Sequence, residues 1–206
     1  MRVVGGSWRG RRIEAPHGTT VRPTSDRARE AVFNILEHGR HAGGLGSPIP
    51  GARVLDAFAG SGALGIEALS RGAAHASFLD ESPAALAAIQ RNLSAFGALD
   101  TATVRRADCL SPPRATHACS LVFLDPPYGA GLAAPALAAL AQTGWIAAGA
   151  LCVVELSRDE AFEAPEGFAI FDDRRYGRAR VVMLRFGGRA VGAVTAVRTA
   201  ARYPRA

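Results

Sequence analysis

Along most of the chain, short apolar runs alternate with segments in which apolar residues recur at helical spacing. The short runs predict strands, and the recurring pattern predicts amphipathic helices. The predicted strands lie at 53–56, 75–79, 101–105, 121–124 and 150–155, with a closing pair at 168–171 and 180–186. The predicted helices lie at 25–38, from the glycines after residue 60 to residue 69, at 82–96 and at 134–141. Strands and helices that alternate at this pitch form a mainly parallel sheet with helices on both faces, so we predict an α/β fold.

The two ends of the chain differ from this middle part. Residues 2–15 alternate and turn through several glycines, which predicts a small hairpin or ribbon rich in arginine. Thr24 or Ser25 is placed to cap the helix that follows. Residues 39–51 are rich in Gly and Pro and predict a loop, whereas residues 188–206 lack a periodic apolar face. We therefore divide the chain into an N-terminal extension (1–38), one α/β domain (52–187) and a basic tail (188–206) that we expect to be flexible.

The composition is that of a globular protein. The chain has 206 residues, of which 49% are apolar, enough for the core of one domain. No stretch approaches the roughly 20 apolar residues that span a bilayer, and the N-terminus lacks the apolar run of a secretory signal. Cys109, Cys119 and Cys152 form no CxxC pair and have no metal-ligand spacing. We expect a cytoplasmic, reduced protein with no metal and no membrane association.

Arginine supplies all 24 basic residues of this lysine-free chain. Residues 1–40 hold eight arginines and four acids, residues 41–173 hold seven arginines and fourteen acids, and residues 174–206 hold nine arginines and no acid. The net charges are +4, −7 and +9, which give the +6 of the whole chain. Two basic ends around an acidic middle favour a polyanionic partner such as a nucleic acid. Trp8 lies among the N-terminal arginines, where stacking on RNA and packing against the core are equally consistent with the sequence.

A glycine-rich turn follows the first predicted strand and opens a helix. Residues 60–65 read Gly-Ser-Gly-Ala-Leu-Gly and match the G-x-G-x-x-G pattern, in which backbone amides approach a bound ligand closely. The pattern fits a dinucleotide cofactor as well as a methyl donor. Asp56 lies just before these glycines, where a carboxylate would repel a pyrophosphate. The acid instead suits a cofactor with an ammonium group, which S-adenosylmethionine has and nicotinamide dinucleotides lack.

Acids also follow the second and third strands. Asp80 ends the second strand, where a carboxylate can accept hydrogen bonds from both hydroxyls of a ribose. Glu81 is the nearby acid that could take this role instead. Asp108, beside Cys109, follows the third strand and is a candidate acceptor for the 6-amino group of adenine. Because the carboxyl ends of parallel strands line a ligand crevice, we predict that these residues meet Asp56 at one site.

The sharpest motif is Asp-Pro-Pro-Tyr at 125–128, directly after the apolar strand 121–124. Two prolines fix the backbone and remove two N–H donors, so carbonyls of the turn are left to face outward. An aryl amine is a poor nucleophile because its lone pair is delocalised into the ring. If Asp125 and the carbonyl of Pro126 accept its two N–H groups, the lone pair is directed at a methyl donor, and the carboxylate stabilises the developing positive charge. Tyr128 offers a face on which a flipped base can stack.

These residues resemble a known family. The run 56–62, Asp-Ala-Phe-Ala-Gly-Ser-Gly, followed by the Asp-Pro-Pro-Tyr turn, is similar to the motifs of the class I amino-methyltransferases. The runs 2–10, Arg-Val-Val-Gly-Gly-Ser-Trp-Arg-Gly, and 22–30, Arg-Pro-Thr-Ser-Asp-Arg-Ala-Arg-Glu, resemble a narrower group, the bacterial RsmD-type 16S rRNA (guanine-N2)-methyltransferases. The resemblance covers about residues 1–187. The loop 39–51 is longer and richer in glycine than this family leads us to expect, and the tail after residue 188 has no counterpart in it.

The resemblance implies a Rossmann-like class I methyltransferase fold with a seven-stranded sheet whose last strand is antiparallel. It also implies S-adenosylmethionine as the cofactor and, as the substrate, ribosomal RNA in an assembling small subunit. The candidate cofactor-binding residues are Asp56, Phe58, Gly60, Ser61, Gly62, Asp80, Glu81, Asp108 and Cys109. The candidate catalytic residues are Asp125, Pro126 and Tyr128. The candidate RNA-binding residues are Arg9, Arg11, Arg12, Arg22, Arg27 and Arg29.

Three other functions are alternatives to this one. The same chemistry on adenine N6 or cytosine N4, in DNA or another RNA, stays open because the Asp-Pro-Pro-Tyr turn does not distinguish the bases. A nicotinamide-dependent oxidoreductase built on the glycine turn would lack a Tyr-x-x-x-Lys pair, since the chain contains no lysine. A non-catalytic nucleic-acid-binding module is less consistent with an intact turn at 125–128. We therefore predict direct methyl transfer, in which positioning of the amine is the main catalytic device.

Overall fold

The computed structural model describes residues 1–16, 26–38 and 46–187. The helices are α1 (Asp26–His38), α2 (Ala63–Ser70), α3 (Pro83–Phe96) and α4 (Ala133–Gln142). The strands are β1 (Arg53–Ala57), β2 (His75–Asp80), β3 (Ala102–Arg106), β4 (Cys119–Leu124), β5 (Ile146–Ser157), β6 (Phe168–Tyr176) and β7 (Ala179–Phe186). Every strand and helix that the sequence pattern predicts is present. The predicted cap at 24–25, most of the loop 39–51 and the tail 188–206 lie outside the described residues.

The strands form one seven-stranded sheet in the order β3-β2-β1-β4-β5-β7-β6. β1 to β5 pair with one another in parallel, whereas β7 runs antiparallel to both β5 and β6. The α/β fold with an antiparallel last strand is therefore confirmed. From β1 the strand order runs to one edge of the sheet through β2 and β3, and from β4 it runs to the other edge. In such sheets a ligand crevice opens between these two strands, at their carboxyl ends.

Two apolar cores lie on opposite faces of the sheet. α1, α2, α3 and the N-terminal segment pack on one face through residues such as Phe33, Ile66 and Ile89, which are fully buried. α4 packs on the other face through Leu137 and Leu140. Helices thus cover both faces, as the alternation of strands and helices predicted. No helix in the described part of the chain is long and apolar enough to cross a membrane.

The N-terminal segment is a ribbon rather than a regular hairpin. A single antiparallel bridge joins Arg2 and Arg12, and the tip contains a 3-10 turn at Gly6–Trp8. Val3 and Ile13 are each 1% exposed, which anchors both sides of the ribbon in the core. Burial of these two side chains is one of the contacts that hold the segment on the domain.

Most strands extend one or two residues beyond the sequence prediction, and β5 and β6 extend much further. β5 begins at Ile146 instead of residue 150, because small residues precede its apolar run and the pairing with β4 shifts register there. β6 continues to Tyr176 through a charged stretch that has no apolar alternation. Asp173 pairs with Arg180 across the β6–β7 hairpin at 2.7 Å, so ion pairs and the ladder hold this end of β6 where apolar burial does not.

Candidate active site

A cavity of about 670 Å³ opens at the carboxyl ends of the central strands. Its size is typical of small-molecule sites. The lining residues come from the turns after β1, β2, β3 and β4: Phe58, Gly60, Asp80, Glu81, Ser82, Ala107, Asp108, Cys109, Leu110, Asp125, Pro126, Pro127, Tyr128 and Leu132. The structure therefore brings together all three predicted catalytic residues and six of the nine predicted cofactor-binding residues.

The turn after β1 has an unusual backbone. Phe58 is the one non-glycine residue with a positive φ among those described, at +58°, a conformation that costs an L-residue roughly 1–2 kcal/mol. Gly60 follows at φ +55°, with open space where a Cβ would lie. At Gly65 a Cβ would lie 2.4 Å from the ring of Phe78, so this glycine permits close packing of α2 on the sheet. Such strain is typical of a turn that is shaped around a ligand.

Asp80 connects two of the turns that line the cavity. Its Oδ2 accepts a hydrogen bond from the N–H of Gly60, and its Oδ1 accepts one from the N–H of Ser82, each at 2.8 Å. A carboxylate offers about four acceptor sites, so each oxygen keeps one lone pair for a ligand. Asp80 thus fixes the glycine turn to the end of β2 and still has acceptors for two hydroxyl groups.

The wall at β3, the neighbour of β2 in the sheet, is built by a short turn. The Oδ1 of Asp108 accepts a hydrogen bond from the N–H of Leu110 at 2.8 Å, which holds the side chain of Leu110 at the cavity, where it is 40% exposed. Cys109 is buried, and burial raises the pKa of its thiol to about 12, so the sulfur is an apolar wall and not a nucleophile. Glu81 is exposed on the rim. Sequence reasoning missed Leu110 because an isolated apolar residue in a loop carries no pattern.

Asp56, Ser61 and Gly62 do not line the cavity. Asp56 is 1% exposed, and its Oδ2 accepts a hydrogen bond from the N–H of Gly65 at 2.8 Å, which ties the start of α2 to β1. Burial raises the pKa of Asp56 well above its usual value, and the charges of Asp125 and Asp80 raise it further, against the effect of the Gly65 bond. Asp56 therefore acts on the cavity through the glycine turn, which it holds in place.

The Asp-Pro-Pro-Tyr turn leaves the sheet at the end of β4. Asp125 is partly buried and Pro126 is buried, and both line the cavity. Tyr128 is 48% exposed, and its hydroxyl donates a hydrogen bond of 2.6 Å to Oε1 of Glu155. Burial raises the pKa of Tyr128, and the bond to Glu155 and its charge raise it further. The phenol is therefore a neutral donor with a fixed partner.

Two buried polar residues that support the site were missed from the sequence. Glu155 ends the apolar run of β5 and is 6% exposed, so the rule that singled out acids at strand ends could have found it. Asn92 is 2% exposed on α3, and its amide bonds both backbone groups of Glu14 and the carbonyl of Ser61, at 2.9–3.0 Å. Asn92 thus joins the N-terminal ribbon directly to the glycine turn. No sequence pattern indicates a single polar residue on a buried helix face.

The predicted RNA-binding arginines are spread apart. α2 and α3 begin at the cavity and run back, so their last residues lie at the opposite end of the sheet. The backbone N–H of Trp8 donates a hydrogen bond to the hydroxyl of Ser70 at the end of α2, and its ring stacks on Phe96 at the end of α3, with a centroid distance of 5.0 Å. Of the two roles that the sequence left open for Trp8, the structure thus shows packing against the core. Arg9 and Arg12 are exposed, and the guanidinium of Arg11 lies 4.4 Å over the ring of Phe96. The ribbon tip with Arg9 and Arg11 therefore faces away from the cavity.

The prediction that Arg29 binds RNA is wrong. Its side chain is fully buried on α1, where it donates to the carbonyl of Arg2 and lies 3.6 Å from Glu67. Glu67 is itself fully buried and also accepts hydrogen bonds from the amides of Val4 and Gly5 at 2.8 Å. Arg29 thus holds the ribbon on the domain. Arg22 and the side chain of Arg27 lie outside the described residues.

The family described as conserved hypothetical protein 95 matches residues 1–185 of the chain. The chain belongs to this family. It is 32% identical to ribosomal RNA small subunit methyltransferase D of Haemophilus influenzae over 181 residues, which cover 86% of this chain and 89% of that protein. It is 38% identical to the Escherichia coli protein of the same name over 157 residues, which cover 75% and 74%.

The fold is similar to that of a solved protein of comparable size, described as a putative methyltransferase. The structure of the Escherichia coli protein yhhF superposes with a TM-score of 0.74 at 33% identity, covering 92% of this chain and 99% of that one. The family match and this superposition confirm the resemblance that the motifs indicated and the class I methyltransferase fold that follows from it. They imply a methyl donor of the S-adenosylmethionine type.

Proposed function

We propose that this protein transfers a methyl group from S-adenosylmethionine to the exocyclic N2 of a guanine in 16S ribosomal RNA. The observation that carries the proposal is that one cavity holds the two halves of such a site. Asp80 and Asp108 line one side, and the turn from Asp125 to Tyr128 lines the other. Relatives named ribosomal RNA small subunit methyltransferase D support both the reaction and the RNA.

The residues present fit this cofactor. Asp80 has one free lone pair on each oxygen for the two hydroxyls of a ribose. Phe58, Cys109 and Leu110 give an apolar slot beside it, and the backbone of Gly60 leaves open space for close approach. The carboxylates of Asp80, Asp108 and Asp125 all line the cavity, and such a concentration of acids favours a cation. The cofactor would supply an electrophilic methyl group.

The other half of the cavity fits a base amine. We propose that the carboxylate of Asp125 and the carbonyl of Pro126 accept the two N–H groups of the guanine amine, which aims its lone pair at the methyl group. The carboxylate also stabilises the positive charge that develops on the nitrogen. Tyr128 presents a ring face for the flipped base. Asp56, Ser61 and Gly62 act indirectly, by shaping the glycine turn.

The choice of guanine N2 rests on the family and on the N-terminal motif, whereas adenine N6 or cytosine N4 is the alternative that the turn alone permits. We also propose that the substrate is the RNA of an assembling small subunit, and therefore that the protein is cytoplasmic. The exposed arginines Arg9 and Arg12 of the ribbon, with Arg11, are proposed to contact phosphates of the same RNA at a distance from the target base.

The test uses ribosomal RNA from a strain in which the gene is deleted. Naked RNA and isolated small subunits are each incubated with the protein and methyl-labelled S-adenosylmethionine, and the RNA is digested to nucleosides. We expect the label in N2-methylguanosine, and the substrate that accepts more label indicates whether naked RNA or the assembled subunit is preferred. Label in N6-methyladenosine or N4-methylcytidine would establish the alternative target atom, and no label in either substrate would refute the proposal that 16S ribosomal RNA is methylated.

A further inference from the structure

The ring of Tyr128 is held by a partner that belongs to a different strand. Its hydroxyl donates to Oε1 of Glu155 at 2.6 Å, a length typical of a hydrogen bond to a carboxylate. The two residues differ in exposure: Tyr128 is 48% exposed at the cavity, whereas Glu155 is 6% exposed within β5. A half-exposed ring is thus attached to a buried side chain of the sheet.

Register explains why these residues meet. Leu124 of β4 pairs with Val154 of β5, so Asp125 and Glu155 each follow the last paired residue at the same level of the sheet. The turn leaves the sheet after Asp125, and the side chain of Tyr128 reaches back to β5. The two acids therefore lie on neighbouring strands, one at the cavity and one behind the ring.

A second contact holds the other side of the same turn. Oε2 of Glu160 accepts a hydrogen bond from the N–H of Gly129 at 2.9 Å and bonds the amide and hydroxyl of Ser157 at 3.2 Å. The turn is thus attached to the end of β5 both through the side chain of Tyr128 and through the backbone of the next residue. Glu160 holds the backbone of the turn, and the bond to Glu155 then fixes the direction of the Tyr128 ring.

We propose that Glu155 is a positioning residue that sets the orientation of Tyr128 and, through it, of the target base. The proposal rests on the proposed function in one respect: it takes the ring to be the stacking face for that base. Without the bond, a half-exposed aromatic side chain samples other rotamers on a fast timescale. Displacement of a reacting group by about 1 Å lowers rates by up to about 100-fold. A mobile Tyr128 ring would therefore lower the methylation rate even though its stacking face is intact.

The proposal changes what Tyr128→Phe should do. If the ring face alone mattered, the phenylalanine variant would keep most of the rate. If Glu155 positions the ring, Tyr128→Phe and Glu155→Ala should each lower the single-turnover rate by about 10-fold, and the double variant should be no slower, because both remove one interaction. Glu155→Gln keeps an acceptor oxygen and should recover most of the rate. Binding of S-adenosylmethionine should be unchanged in all four, and the exposed Glu163→Gln serves as the matched control.

A second measurement does not need activity. Nuclear magnetic resonance with ring-labelled tyrosine, in which Tyr128→Phe identifies the signal, reports the order of the Tyr128 ring in the free protein. We expect the ring to be ordered in the wild type and in Glu155→Gln, and to become mobile in Glu155→Ala. Ring order that does not depend on Glu155, or rate losses that add in the double variant, would overturn the proposal. If ring order depends on Glu155 while no RNA is methylated, the positioning contact holds and the proposed function fails.

Discussion

Replacing Asp80 tests the cofactor half of the site. In the structure this carboxylate accepts one backbone N–H on each oxygen, from Gly60 and from Ser82, and keeps one lone pair on each for the ribose hydroxyls. Asp80→Ala removes both ribose bonds. A hydrogen bond to a charged group contributes about 1.5–3 kcal/mol, and the lower end applies to a cavity that is open to water. Two such bonds correspond to a loss of about 100-fold in affinity for S-adenosylmethionine.

The same substitution also releases the glycine turn, so affinity alone would not separate the two effects. Isothermal titration calorimetry with S-adenosylhomocysteine and its 2′-deoxy analogue does separate them. The wild type should bind the deoxy analogue about 10-fold more weakly, since one hydrogen bond to a carboxylate is missing. Asp80→Ala should bind both ligands with nearly equal affinity, because the partner of that hydroxyl is already gone.

Two results would refute this reasoning. If Asp80→Ala loses the same factor as the wild type on going to the deoxy analogue, the ribose hydroxyl does not meet this carboxylate. If Glu81→Gln, on the exposed rim beside it, causes the larger loss, the ribose acceptor is Glu81. The melting temperature of each free variant is the control for folding, and it should fall by more in Asp80→Ala than in Glu81→Gln because only Asp80 ties two turns together.

Three further predictions concern catalysis, RNA binding and charge. Asp125→Asn keeps the size and one acceptor oxygen of the side chain but loses its charge. The single-turnover rate should therefore fall by about 100-fold, while the affinities for cofactor and RNA change by less than about 10-fold. A rate near that of the wild type would show that other groups hold the amine. Replacing Arg9, Arg11 and Arg12 together should flatten the log–log salt dependence of RNA binding by about two units, and an unchanged slope would place the RNA surface elsewhere. Asp56 has a raised pKa because it is buried near other acids, and a bound cation lowers that pKa. Cofactor binding in weakly acidic solution should therefore release protons, seen as a dependence of the calorimetric enthalpy on the buffer, and Asp56→Asn should abolish this release.

The sequence by itself determined the local elements and the acids that line the cavity. Apolar runs and helical spacing indicate the elements because burial on one face of a strand or helix imposes its period on the chain. The site residues at the ends of β2, β3 and β4 were predictable for a related reason. Parallel strands end at one edge of the sheet, so Asp80, Asp108 and Asp125 had to converge once the strands were identified.

Only the tertiary structure decided which polar residues face a ligand and which hold the fold. Asp56 and Arg29 look like site residues in the sequence, but one is buried behind the glycine turn and the other joins Glu67 beneath the ribbon. Glu155 reads as the end of an apolar strand, and its role depends on the register between β4 and β5. Local periodicity reports whether a side chain is buried, whereas its partner is set by the packing of elements far apart in the chain, which is why these assignments required the assembled fold.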